Sequence, residues 1–148
     1  MFTHLLLSCL LLSITPSADC RKIEDRDKRS FHDLSPFAVD VDGDGQPDSI
    51  TPRLYIVKSN RKAKEAHWIT FDIKTSKGRT INSFFKYRYG TSAADYWVYA
   101  LVPCDLNKDG RIDLIFYSGD DTSDETIVLL NRRGRFIVHS RKTRGQDI

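Results

Sequence analysis

The chain is 148 residues long, 40% hydrophobic and 29% charged, with a formal net charge of +3. That length holds one domain with a modest core. So slight a positive balance, unevenly spread, argues against a general nucleic-acid binder.

Residues 1–18 read as an export signal. Residues 5–14 form a short apolar run rich in Leu, and Thr15, Pro16, Ser17 and Ala18 supply the small residues of a cleavage site. The run is too short to span a bilayer as a helix, so no transmembrane span is expected. No Lys or Arg precedes it, only His4, and the competing reading is a buried N-terminal strand or helix. Lipid anchoring is disfavoured: Asp19 is a poor neighbour for a modified Cys20, and Cys9 has almost no apolar stretch before it. The expected location is therefore secreted, periplasmic or cell-surface. Export would leave two cysteines, Cys20 and Cys104. In an oxidising compartment these can form a disulfide tying the N-terminal segment to the second acidic loop. Otherwise Cys104 is a small buried apolar residue and Cys20 a free thiol.

Residues 19–35 mix charges of both signs and read as an exposed lead-in. From residue 36 the pattern becomes strands separated by polar turns. Strands are expected at 37–40, 50–57, 67–73 and 80–89, with turns at 58–66 and 76–78. The segment 67–73 alternates apolar and polar residues, as a half-buried strand does. Residues 90–95 connect to a second half that repeats the order: strands at 96–102, 112–117, 126–130 and 135–139, with an acidic connection at 119–124 and a turn at 131–134. A basic tail, 141–148, closes the chain. The fold class is all-β, with two propeller-blade-like antiparallel sheets of about four strands within residues 36–140. A closed propeller needs about four blades. The two sheets must then pack as a small sandwich, fuse into one curled sheet, or complete a ring through association of chains. The sandwich is favoured, with a homo-oligomer as the alternative.

One spacing, D-x-D/N-x-D-G-x-x-D, occurs between the first and second strands of each half. It reads Asp40-Val-Asp42-Gly-Asp44-Gly-Gln46-Pro-Asp48 and Asp105-Leu-Asn107-Lys-Asp109-Gly-Arg111-Ile-Asp113. Carboxylates crowded this closely repel one another unless a hard cation accepts several oxygens at once, and Ca²⁺ does so. Gly45 and Gly110 permit the bend at position 6, which lets the carbonyl of Gln46 or Arg111 face the ion. Pro47 and Ile112 are expected to turn inward as anchors. An EF-hand would need its bidentate carboxylate at position 12, where this chain has Thr51 and Phe116. Four carboxylates in the first loop, against three and an amide in the second, predict tighter binding in the first.

The strand–DxDGDGxxD–strand unit resembles the FG-GAP/VCBS repeat of integrin α-subunit propellers and bacterial surface proteins. The resemblance covers the loops and their flanking strands. It implies calcium ligation by Asp40, Asp42, Asp44, Gln46 (carbonyl) and Asp48, and by Asp105, Asn107, Asp109, Arg111 (carbonyl) and Asp113. It also implies a role in adhesion or recognition; the expected partner is a protein or an anionic surface glycan, the latter because base gathers at residues 61–64, 132–135 and 141–144. The family usually carries more repeats, and its Phe-Gly/Gly-Ala-Pro signature is absent.

Catalytic signatures are missing: there is no G-x-S-x-G elbow, no H-E-x-x-H and no glycine-rich phosphate loop. His32, His67 and His139 share no spacing. The function expected is an exported calcium-binding module that recognises a macromolecule. The alternatives are an assembly component of an envelope complex and, behind it, an accessory domain of a secreted enzyme. Trp68, Trp97, Tyr87, Tyr89, Tyr96 and Tyr99 can fill the core or offer a sugar-stacking surface.

Overall fold

A computed structural model describes residues 20–58, 65–89, 97–120 and 122–145. The expected signal peptide and the connection 90–95 lie outside these residues, as does 59–64, the middle of the basic turn. Among the described residues there are nine strands: β1 (Arg29–Ser30), β2 (Phe37–Val39), β3 (Asp48–Lys58), β4 (Glu65–Lys74), β5 (Thr80–Tyr89), β6 (Val98–Cys104), β7 (Asp113–Gly119), β8 (Ser123–Asn131) and β9 (Phe136–Gly145). They form two antiparallel sheets, ordered β2-β3-β4-β5 and β1-β6-β7-β8-β9. Strands β2 to β5 and β6 to β9 form two meanders in which sequence neighbours pair, β1 adds to the second beside β6, and each acidic loop joins the first two strands of its meander. No helix among the described residues is long and apolar enough to cross a membrane.

The two sheets meet face to face over one core. Ile50, Ile69, Phe71, Ile73 and Phe85 face inward from one sheet, and Tyr99, Leu101, Leu114, Phe116, Ile127 and Leu129 from the other. Rings interlock across the gap. Phe116 of β7 lies 5.8 Å from Phe71 of β4 and 5.0 Å from Phe85 of β5, both edge to face, the geometry that aromatic quadrupoles favour. Inward β-branched and aromatic residues on successive odd or even positions produce this outcome, because alternate side chains leave a strand on opposite faces. The result is a sandwich rather than one curled sheet.

Both ends of the domain differ from the sequence reading. The lead-in is not wholly exposed. After a single 3₁₀ turn at Asp25–Asp27, β1 pairs with β6 through Arg29↔Tyr99 and Ser30↔Val98. Phe31 follows into the core, 3% exposed and stacked 4.0 Å from Tyr89. A lone aromatic among charges carried no periodic signal. At the other end the expected tail is strand: residues 141–145 form the second half of β9, paired with β8 from Ile127↔Arg141 to Ser123↔Gly145. A bulge between Val128 and Leu129 breaks the alternation there, and Arg141 meets Glu125 at 3.2 Å.

Candidate metal centres

The two loops are built alike, from position 1 onward. Asp40 accepts hydrogen bonds from the amides of Gly43 (2.8 Å), Asp44 (3.2 Å) and Gly45 (2.8 Å). Asp105 accepts from Asp109 (3.1 Å) and Gly110 (3.0 Å). The position-3 oxygens of Asp42 and Asn107 accept the amides of Asp44 (3.2 Å) and Asp109 (3.1 Å). Position 5 then accepts from position 7, Gln46 to Asp44 and Arg111 to Asp109, each at 2.9 Å. Curling the backbone this tightly requires left-handed residues. Gly45 (φ 82°) and Gly110 (φ 80°) supply one at position 6, as the sequence suggested. A second falls at position 4, on Gly43 (φ 78°) and on Lys108 (φ 57°), which the sequence reading did not mark.

Position 9 locks each loop to its sheet. Asp48 is 2% exposed and accepts from the Val41 and Ser76 amides, both at 2.8 Å. Asp113 is fully buried and accepts from Leu106 (3.0 Å) and Asn131 (2.8 Å). Ser76 lies just past β4 and Asn131 ends β8, so both aspartates reach the end of the third strand of their meander. The expected position-8 anchors behave unequally. Ile112 packs against the core, but Pro47 is exposed. In the first loop Val41, at position 2, is the buried residue instead.

Three residues outside the spacing complete the site. Ser76 donates its hydroxyl to Asp44 at 2.7 Å, and Lys77 places its ammonium 3.1 Å from Asp44 and 3.9 Å from Asp42. The Ser76 hydroxyl first, then the Gln46 amide and Lys77, hold the Asp44 carboxyl down to about 2. Asn131, fully buried, donates to the carbonyls of Val41 (2.9 Å) and Ile112 (3.1 Å) and accepts from Gly134 (2.8 Å). One amide thus ties the first loop to the second. Its only sequence signal was an Asn placed between an apolar strand and a Gly-containing turn.

In the first loop Asp40, Asp42 and Asp48, but not Asp44, are spaced as ligands of one cation. Oxygens sharing one Ca²⁺ at about 2.3–2.6 Å lie within about 5 Å of one another, and ligand oxygens of Asp40, Asp42 and Asp48 lie within 4.8 Å. Hydrogen bonds to backbone amides leave further lone pairs on each carboxylate. The second loop fits less well. The Asn107 amide nitrogen donates to Asp109 at 3.1 Å, and the Arg111 guanidinium stands 3.6 Å from the same carboxylate. Next to this loop, Cys104 is joined to Cys20 by a disulfide. Comparison with models of protein families, with curated proteins and with solved structures finds no match to this chain.

Proposed function

We propose that the chain is an exported, calcium-stabilised β module that recognises a macromolecule, either a protein or a surface glycan. The observation that carries this reading is the duplicated loop, set twice between the first two strands of a four-stranded meander with its ninth-position Asp buried. Asp40, Asp42, Asp44, Asp48 and the Gln46 carbonyl would hold the first ion. Asp105, Asn107, Asp109, Asp113 and the Arg111 carbonyl would hold the second. Bound calcium would supply charge that relieves carboxylate repulsion and stiffens the bend. Export is supported by the apolar run at 5–14 and by a disulfide, a bond that persists in oxidising compartments. The likeness of the loops to FG-GAP/VCBS repeats supplies the recognition role.

A thermal melt with and without chelator tests the reading. At 1 mM Ca²⁺ a site with Kd near 10⁻⁴ M stabilises by about 1.4 kcal/mol, so chelation should lower Tm by several degrees. A melt indifferent to both calcium and chelator would end the calcium assignment. The assembly alternative draws on one feature: β9 ends its sheet with Ile137 and Val138 48% and 55% exposed. Light scattering across concentration separates the two, since assembly predicts a mass that grows with concentration.

A further inference from the structure

We propose that the outer face of the four-stranded sheet is the recognition surface, and that its ligand is an anionic glycan bearing carboxylate or sulfate groups. This rests on the recognition reading above and narrows it to one face and one ligand chemistry.

Strand alternation defines the face. In β3, Asp48, Ile50 and Pro52 are buried, so Arg53, Tyr55 and Val57 point away from the core. In β4, Ile69, Phe71 and Ile73 are buried, which puts Trp68 and Thr70 on the other face, where Thr70 is covered (3% exposed) and donates its hydroxyl to the Phe85 carbonyl. In β5, Phe85, Tyr87 and Tyr89 are buried while Lys86 and Arg88 are exposed. Register then sets two rows across the sheet, Tyr55–Trp68–Arg88 and Arg53–Thr70–Lys86.

The rings of Tyr55 and Trp68 lie parallel to within 9°, with centroids 6.2 Å apart. That spacing is the offset arrangement of stacked rings, in which the two faces overlap only in part. Val57, 47% exposed, prolongs this apolar strip. Beside it, Lys86 and Arg88 stand about 7 Å apart along β5 and make no ion pair among the described residues. Arg53 is already held by Asp72 at 2.7 Å, which neutralises that carboxylate. An aromatic strip with a cationic rim suits a chain whose C–H faces stack on rings and whose anions meet Arg and Lys. Charge complementarity selects an acidic glycan over a neutral one. Single-stranded nucleic acid also stacks on aromatics, but it is held by a positive groove that tracks its backbone. Here two unpaired cations stand at one rim. The surface is also remote from the metal: β3 runs roughly 23 Å from Asp48 to Tyr55.

The test is a titration of the purified chain with heparin and with polygalacturonate, read by tryptophan fluorescence at several salt concentrations. Neutral dextran and poly(U) serve as comparators. Saturable binding of at least one acidic glycan is expected, weakening with salt, with dextran bound at least tenfold more weakly. Trp68→Ala should weaken binding tenfold or more. Because Trp68 is half-buried and its loss also costs packing, the exposed pair Lys86→Gln/Arg88→Gln carries the decision, with a melt to verify the fold. That pair should weaken binding at least tenfold and flatten the salt dependence. Binding of neither acidic glycan, binding unchanged in the double variant, or tighter binding of poly(U) overturns the proposal. The calcium assignment fails by a different readout, the chelator melt, so the two can be lost separately.

Discussion

Lys77 shows how much a residue outside the spacing can matter to it. Its ammonium, 3.1 Å from Asp44, competes with any divalent ion for the charge of the first loop. The side chain is 68% exposed, so solvent screening keeps its effect small. Lys77→Met should therefore tighten calcium binding by about threefold in calorimetry; an unchanged or weaker Kd would show that the lysine does not compete. Asn131 acts in the other direction. Replacing it with Ala strands the Val41 and Ile112 carbonyls without a donor, at roughly 1–3 kcal/mol for each buried group left unsatisfied. A chemical denaturation midpoint should fall by an amount equal to about 3 kcal/mol, and a loss below ~1 kcal/mol would mean that water replaces the amide. Neither residue was legible as part of the site. Lys77 comes to it from the turn after β4 and Asn131 from the last position of β8, each at the end of the third strand of a meander, and one-dimensional spacing carries no record of that approach.

Among the elements, β6 holds the N-terminal end of the described chain at two points. Its first residues take β1 as a partner, and its last, Cys104, is bridged to Cys20. The bridge closes a separation of 84 residues, and a loop that long is worth about 4–5 kcal/mol through the entropy of the unfolded chain. Cys20→Ser, at the exposed end of the bridge, should lower stability by a few kcal/mol in denaturant titrations. Its effect should exceed that of chelation; an effect smaller than chelation would place the main staple in the loops instead. The hairpin order of β2 to β5 and β6 to β9 was readable because apolar alternation and turn residues are local properties. The pairing of β1 with β6 was not, since two residues cannot establish a period.

At the scale of the whole molecule, two buried phenols provide a pH signature. Burial raises Tyr87 and Tyr99 to about 12, and the Tyr99 hydroxyl also donates to the Asp33 carbonyl. A phenol whose folded-state value lies above its unfolded value of about 10 contributes stability that is full below pH 10. That contribution is lost as pH rises through about 12. Tm should hold through pH 9 and fall between pH 10 and 12, and Tyr87→Phe should reduce the slope. A flat profile across that range would mean that both hydroxyls are hydrated in the folded protein. The all-β class, the two sheets and the place of each acidic loop were determined by the sequence alone, because period-2 patterning and the residue types that bend a chain act over a few neighbours. Tertiary structure alone decided that the sheets face each other and that Phe31 enters the core between them. It also set one buried amide between the two loops, and left Tyr55 and Trp68 side by side on an outer face. Those outcomes depend on which surfaces meet after collapse, and apolar burial is indifferent to distance along the chain.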